Sequence, residues 1–340
     1  MSIKWKAAVA GTIVGALALA GCGGGSSASS SSGTVNLVGF SILEQANKKV
    51  IADFNKTKDG KDVDFQESYG ASGDQSRAVI GGQKADIVHL SLEPDVQKLV
   101  DAKLVADSWK STPSKGILTQ SVVVMVVRKG NPKHIQSWDD LIKPGVKIIT
   151  PNPASSGSAK WNILAAYGHV LADGGNEQDA ADYLKKFFGN VAALPGSGRD
   201  ATTAFQGGQG DVLLSYENEA ILARQSGADF DYVVPDSTLL IQNPGAVTTD
   251  ASPAAKKFLT YLTGKQAQTD YASEGFRPLD DSIKVEVKGA NDPSNPFPAP
   301  SKKLLTIDDD FGGWSEANTK FFDENDGVVT KIQQETGKES

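Results

Sequence analysis

Two patterns of hydrophobic and polar positions alternate along this chain, one typical of buried strands and the other typical of helices. Short apolar runs bounded by turn residues predict buried strands at 35–40, 63–66, 87–90, 122–127 and 212–214. Apolar residues at helical spacing predict helices near 43–54, 159–171, 177–188 and 254–261. Strands that alternate with helices indicate an α/β fold with largely parallel sheets. The Pro-rich stretch 291–300 predicts an irregular surface segment.

The first 33 residues form a separate region. Lys4 and Lys6 precede a 14-residue apolar run, 7–20, whose last residues begin the sequence Leu-Ala-Gly-Cys at 19–22. This run is shorter than the roughly 20 apolar residues of a membrane-spanning helix, so we interpret 1–21 as a signal peptide. Cys22 is the only cysteine and its context resembles the lipobox of bacterial lipoproteins, which predicts lipidation there. Residues 22–33 then form a lipidated Gly/Ser linker.

Composition and charge narrow the function of the remaining chain. Hydrophobic residues make up 39% of the sequence and charged residues 22%, as in globular proteins. The net charge is −7 and no basic run is present, which argues against nucleic-acid binding. An anion site in this chain would have to rely on local donors, because the overall field repels anions.

Three small-residue turns, each leading into a predicted helix, carry the candidate chemistry. They lie at 68–73, 155–158 and 196–200, and they consist mainly of Ser and Gly. The start of a helix offers unpaired N–H groups and partial positive charge, and glycine lets a ligand approach the backbone closely. A single such turn usually indicates an ordinary helix cap. Three of them favour an anion site if the fold brings them together.

Four stretches resemble bacterial sulfate-binding proteins, which serve sulfate/thiosulfate ABC importers. These stretches are SYGASGDQSRAVIGGQKADIVHLSLEPDV, VRKGNPKHIQSWDDLIKPGVKIITPNPASSGSAKWNILAAYG, GDVLLSYENEA and LTIDDDFGGW. The resemblance extends from about Val35 to about Phe322, and with its lipobox the chain is similar to the actinobacterial lipoprotein branch. The resemblance implies a type II periplasmic-binding-protein fold, with a ligand cleft between two lobes joined by a hinge. The expected lobes are 34–118 plus 248–340, and 119–247.

The resemblance also implies a set of ligand-binding residues. In the family, backbone N–H groups at helix starts, serine hydroxyls and an indole N–H hold sulfate without a counter-cation. The matching positions here are Ser72, Ser156, Gly157, Ser158 and Gly198. The sequence departs from the family at Ser41, where an aspartate is expected, and at Tyr216, where a tryptophan is expected; both remain candidates as hydroxyl donors. Arg199 is a further candidate, either as a ligand contact, as a brace behind the turn or as a surface residue paired with an acid.

Sulfate near neutral pH carries no proton, so a selective site should present donors and no acceptor. Hydrogen phosphate retains a proton and requires an acceptor such as a carboxylate. The three turns supply donors and therefore favour sulfate. The carboxylates that could reverse this preference are Asp74, Asp200 and Glu217, each close in sequence to a candidate site residue.

The sequence therefore predicts an extracytoplasmic, lipid-anchored, monomeric protein on the outer face of the cytoplasmic membrane. Its partners would be sulfate or thiosulfate and the subunits of an ABC permease, with no cofactor, metal or catalytic residue. Three alternatives stay open: binding of another tetrahedral oxyanion (thiosulfate, phosphate or molybdate), an enzyme that uses a serine nucleophile, and a structural or adhesive lipoprotein. The enzyme alternative has no G-x-S-x-G elbow, P-loop or dinucleotide motif to support it.

Overall fold

A computed structural model describes residues 33–338, so the predicted signal peptide and Cys22 lie outside the described residues. Each predicted strand and helix is present, with ends that differ by a few residues. The strands are β1 Thr34–Phe40, β2 Asp64–Gly70, β3 Ile87–His89, β4 Ile117–Arg128, β5 Ile148–Ile149, β6 Val191–Ala193, β7 Val212–Tyr216, β8 Phe230–Val233, β9 Ser237–Val247 and β10 Lys303–Leu305. The Pro-rich stretch 291–300 contains neither helix nor strand, as predicted.

Some of the helices begin at residues that favour helix starts. Asn176 caps α6 by accepting from the N–H groups of Gln178 and Asp179, and Ser252 with Pro253 begins α9. The helices are α1 Leu43–Phe54, α2 Ser72–Ile80, α3 Glu93–Asp101, α4 Trp138–Leu141, α5 Gly157–Ala172, α6 Glu177–Asn190, α7 Gly198–Gln206, α8 Glu217–Gln225, α9 Pro253–Leu262, α10 Lys265–Ser273, α11 Ile307–Phe311, α12 Trp314–Phe322 and α13 Val328–Thr336. Among the described helices, none is long and apolar enough to cross a membrane.

The strands join in the order β2-β1-β3-β9-β4-β7-β5-β6, with β10 beside β9 and β8 beside β4. The fold class is α/β as predicted, but the sheet is mixed, and the expectation of largely parallel sheets is only partly right. Five of the nine strand pairs are parallel, and the four antiparallel pairs all involve β4 or β9. The direction of these two long strands is not encoded in their apolar pattern, which explains the difference.

Strands β4 and β9 connect the two ends of the sheet. They pair with each other over 117–122 and 240–244, after which β4 continues beside β7 and β8. The other end of β9, at 245–247, pairs with β3. A pair of crossing strands of this kind is where a hinge between two lobes would lie. The proposed lobe bounds, 34–118 plus 248–340 and 119–247, stay a prediction.

The apolar core packs against both faces of the sheet. The largest fully buried side chains include Trp161, Tyr167, Tyr216 and Phe258. Helix α5 is buried along most of its length, and Trp161 packs edge-on against Trp314. Because α5 is fixed by this core, its first turn is held in a defined place. That turn is the centre of the candidate site.

Candidate functional site

Four helices begin around one small cavity, which we call the helix-start cavity. It lies where α1, α2, α5 and α7 start, at the carboxyl ends of parallel strands such as β1 and β2. It is lined by Phe40, Ser41, Ile42, Gly70, Ala71, Ser72, Ser91, Ser156, Gly157, Ser158 and Gly198. Its volume is ≈ 10 Å³, which is room for about one water molecule. A tetrahedral anion could enter only if the walls moved apart.

Direct contacts hold the three predicted turns together. The Gly73 N–H donates to the Ser155 carbonyl at 3.1 Å, which joins the start of α2 to the start of α5. The Ser155 hydroxyl donates to the Gly196 carbonyl at 2.7 Å, which joins the second turn to the third. The backbone N–H of Arg199 lies 3.5 Å from Ser41 Oγ, so the start of α7 also meets the end of β1. The turns predicted from sequence therefore converge.

Two glycines make this approach possible. A Cβ atom at Gly157 would lie 2.5 Å from Ser91 Oγ, and a Cβ atom at Gly198 would lie 2.8 Å from Ile42 Cδ1. Side chains at these positions would push the helix starts apart. Both residues are the first of their helices, so the missing side chain leaves backbone N–H groups at the cavity wall. Helices α2, α5 and α7 begin two to three residues earlier than predicted, which puts candidate residues such as Ser72, Ser158 and Gly198 inside the first turns.

The serine hydroxyls of the site are in different states. Ser158 is 4% exposed, yet in the described structure its Oγ has no hydrogen-bond partner. A buried hydroxyl without a partner is uncommon and calls for an explanation such as a ligand. Ser156 is also buried. It is the N-cap residue of α5, but its hydroxyl accepts no hydrogen bond from the backbone of the first turn. These two hydroxyls are available to a ligand.

Ser72 is already engaged. Its hydroxyl donates to Asp95 Oδ2 at 2.7 Å and accepts from the Ser91 N–H at 2.9 Å. As long as Ser72 bonds Asp95, its hydroxyl hydrogen cannot reach a ligand. We therefore expect Ser72 to act mainly through the backbone at the start of α2.

Tyr216 lies one hydrogen bond away from the cavity. Its hydroxyl is fully buried, lies 2.7 Å from Ser91 Oγ and accepts from Asn243 at 3.5 Å. Burial raises its pKa well above the ordinary value, so it stays protonated. Ser91 lines the cavity, whereas Tyr216 does not. The structure thus places Tyr216, a predicted ligand contact, behind Ser91. The sequence did not indicate Ser91, because this residue follows a strand and does not start a helix.

Arg199 also lies behind the wall. Its guanidinium is 3.1 Å from Glu219, whose side chain is fully buried in the first turn of α8. Burial raises the pKa of Glu219 while the nearby arginine opposes that rise. Of the roles considered, this ion pair is compatible with a brace behind the turn and with an arginine paired with a nearby acid. Glu219 was not identified from sequence, since its partner is twenty positions away.

No described residue that lines the helix-start cavity is acidic or basic. Asp74 pairs with Arg77 on the surface, and Asp200 accepts from the hydroxyl of Ser197 at 2.7 Å. Glu217 is fully buried against Arg277, at 2.7 and 3.0 Å. The carboxylates that could have indicated an acceptor site therefore face elsewhere.

The wall is instead electropositive through its backbone. Each helix start carries about half a positive charge from aligned peptide dipoles, so four helix starts present about two. That partial charge matches a divalent anion. The effect is strongest in the first turn, which is where the lining residues of α2, α5 and α7 lie.

Comparison with known proteins identifies relatives over almost the whole chain. Residues 36–277 match the family described as bacterial extracellular solute-binding protein. The sulfate-binding protein of Synechococcus elongatus is 39% identical over 94% of this chain and 93% of its own length. The thiosulfate-binding protein of Pseudomonas aeruginosa is 34% identical over 82% and 84%.

Solved structures agree. The sulfate-binding protein SubI of Mycobacterium tuberculosis superimposes with a TM-score of 0.79 and 44% identity, covering 85% of this chain and 99% of SubI. The periplasmic binding protein AfuA of Actinobacillus pleuropneumoniae reaches a TM-score of 0.66 at 18% identity, covering 89% of this chain and 99% of its own, and shares the fold alone.

Proposed function

Because this chain belongs to the bacterial extracellular solute-binding proteins, we propose that it captures sulfate in the helix-start cavity and delivers it to an ABC permease. The anion would be held by N–H groups at the starts of α2, α5 and α7 and by the hydroxyls of Ser156 and Ser158. Ser41 lies close enough to contribute a third hydroxyl. Arg199 and Tyr216 would support the wall from behind.

The observation that carries the proposal is the composition of the cavity wall. It combines four helix starts with a buried Ser158 hydroxyl that has no partner among the described residues, and it contains no carboxylate. Hydrogen bonds to a charged group are worth roughly 1.5–3 kcal/mol each, so five or six would offset the loss of water around sulfate. A wall of donors favours an anion without a proton over hydrogen phosphate.

Calorimetric titration with sulfate, thiosulfate, phosphate and molybdate tests this proposal. We expect sulfate to bind at least tenfold more tightly than phosphate, and thiosulfate to bind at the same site, in line with the names of the relatives. Phosphate binding tighter than sulfate binding would contradict the proposal. The variant Ser156→Ala provides a second test. It should weaken sulfate binding and leave the melting temperature without ligand unchanged. Ser108→Ala, on the exposed surface, serves as the control.

The lipid anchor and the permease are part of the same proposal. Cys22 would carry the lipid that holds the protein at the outer face of the cytoplasmic membrane, and the lobes 34–118 plus 248–340 and 119–247 would close around sulfate. Expression of Cys22→Ser with its native leader should release the protein from the membrane fraction. Equal membrane association of the variant and the native chain would remove the anchor from the proposal.

A further inference from the structure

A second pocket, which we call the basic groove, lies on the far side of the start of α5. Helices α2 and α3 form one wall, and α12 and α13 form the other. Its volume is ≈ 570 Å³, within the range of pockets that hold small organic ligands. It shares no lining residue with the helix-start cavity. The two are therefore separate sites.

Three cationic side chains line the basic groove: Arg77 from α2, Lys98 from α3 and Lys160 from α5. Arg77 and Lys98 are exposed and come from one wall, whereas Lys160 is half-buried near the floor. The Lys160 ammonium donates to Asn318 Oδ1 at 2.8 Å and lies 4.6 Å from the centre of the Phe322 ring. Burial lowers its pKa to about 8.

These charges are incompletely balanced. Arg77 pairs with Asp74, and Lys98 lies 3.1 Å from Asp95, but in the described part of the chain no ion pair joins Lys160 to a carboxylate. An ammonium has three donors, and Lys160 uses one of them on protein. A half-buried cation without an anionic partner is costly unless a ligand supplies the charge.

Two acids, Asp323 and Glu324, also line the groove, but neither forms an ion pair with Lys160 in the described part of the chain. Asp323 already accepts from the N–H groups of Asn325 and Asp326, both at 2.9 Å. Glu324 is exposed. Neutral donors complete the lining, from the amides of Asn318, Gln333 and Gln334. The groove therefore combines three cations, from α2, α3 and α5, with amide groups from α12 and α13.

We propose that the basic groove binds a small polycarboxylate anion, with one carboxylate at Lys160 and another at Arg77 and Lys98. A pocket of this volume exceeds the needs of a single sulfate, and cations from three different helices suit an anion whose charges are separated. Arginine and lysine with amide donors are the groups that recognise carboxylates. Such an anion would bridge α2 and α3 to α5 beside the helix-start cavity.

Citrate is the probe, titrated calorimetrically into the protein both saturated with sulfate and free of it. We expect one citrate per chain in both conditions, since the basic groove shares no lining residue with the helix-start cavity. Its affinity should differ between the two conditions, because by the proposed lobe bounds Lys160 lies in one lobe and Arg77 and Lys98 lie in the other, and closure around sulfate would move them relative to each other. Lys160→Met should weaken citrate binding at least tenfold, and Arg77→Gln should weaken it severalfold. Lys48→Met, which removes an exposed lysine on α1, should leave it unchanged.

Absence of citrate binding at millimolar concentration would overturn the inference, and so would equal citrate affinity in the native chain and in both groove variants. If Lys160→Met does not fold, Arg77→Gln alone decides, because Arg77 is exposed. The arm without sulfate separates this result from the sulfate proposal: a chain that binds citrate but no sulfate refutes that proposal and leaves this one intact.

Discussion

The helix-start cavity and the first turn of α8 both bury polar groups, but they do so in opposite ways. The cavity wall consists of uncharged groups, and one of its hydroxyls lacks a partner in the described structure. The first turn of α8 holds two fully buried glutamates, each against an arginine: Glu217 with Arg277 and Glu219 with Arg199. Charge is compensated behind the wall and is absent at its surface. In the proposed sulfate site, the ionic groups would therefore lie one layer away from the anion.

The largest effect should follow from a charge placed on the wall. Ser156→Asp puts a carboxylate at the start of α5, where the anion would bind. Two unit charges about 4 Å apart repel by about 4 kcal/mol near a protein surface, which is about a thousandfold in affinity. Sulfate titration of this variant and of Ser108→Asp, an exposed control, measures the effect. Sulfate affinity within tenfold of the native value would show that the anion binds elsewhere.

The next effect concerns the buried glutamate–arginine pairs in the first turn of α8. Glu217→Gln leaves the nearly buried Arg277 without its anionic partner, and the loss of one partner from a buried pair costs about 3–5 kcal/mol in free energy of unfolding. Urea unfolding measures this loss. Glu335→Gln breaks an exposed pair with Lys185 and should leave the free energy of unfolding nearly unchanged. Equal stability of the two variants would contradict the assignment of Glu217 to a structural pair.

A smaller effect isolates the hydroxyl without a partner. Ser158→Ala removes a donor that makes no hydrogen bond in the described structure, so the free energy of unfolding without ligand should not fall. Sulfate binding should weaken by about 1.5–3 kcal/mol, since a bond to a charged ligand is lost. Calorimetry and urea unfolding on the same samples separate the two effects. A destabilised variant with native sulfate affinity would assign Ser158 to the fold instead.

The smallest effect on sulfate affinity should be that of pH. No described residue that lines the cavity titrates near neutral pH, so sulfate affinity should be constant between pH 6 and 8. Burial lowers the pKa of His89, below the cavity, to about 3, so the folded state keeps this imidazole neutral. Its contribution to stability is complete above the ordinary value of about 6.5 and is lost as pH falls from there toward 3, by up to about 1.4 kcal/mol per pH unit.

Urea unfolding from pH 7 to 4 tests the His89 contribution. His89→Gln should flatten this slope, and His134→Gln, at an exposed position, should not. A sulfate affinity that changes tenfold between pH 6 and 8 would reveal a titrating group in the wall.

Local sequence patterns predicted much of this arrangement. Ser and Gly before apolar periodicity indicated the starts of α2, α5 and α7, and the family resemblance indicated that these starts converge. Ser72, Ser156, Gly157, Ser158 and Gly198 all line one cavity in the structure, although their contact with sulfate stays a prediction.

The features that the sequence did not predict depend on long-range contacts. The Arg199–Glu219 pair and the Ser91–Tyr216 bond join residues that no local period connects. The engagement of Ser72 by Asp95 likewise depends on how α2 packs against α3. The sequence also did not predict the direction of β4 and β9, because their apolar runs are compatible with either a parallel or an antiparallel orientation.

A crystal structure of the sulfate-bound protein tests the central claim most directly. The account predicts sulfate oxygens within hydrogen-bond distance of backbone N–H groups at Gly157 and Gly198 and of the hydroxyls of Ser156 and Ser158. It also predicts that Arg199 stays paired with Glu219 and that no carboxylate or cationic side chain contacts the anion. Sulfate held by an arginine or lysine side chain, or bound away from the four helix starts, would contradict it.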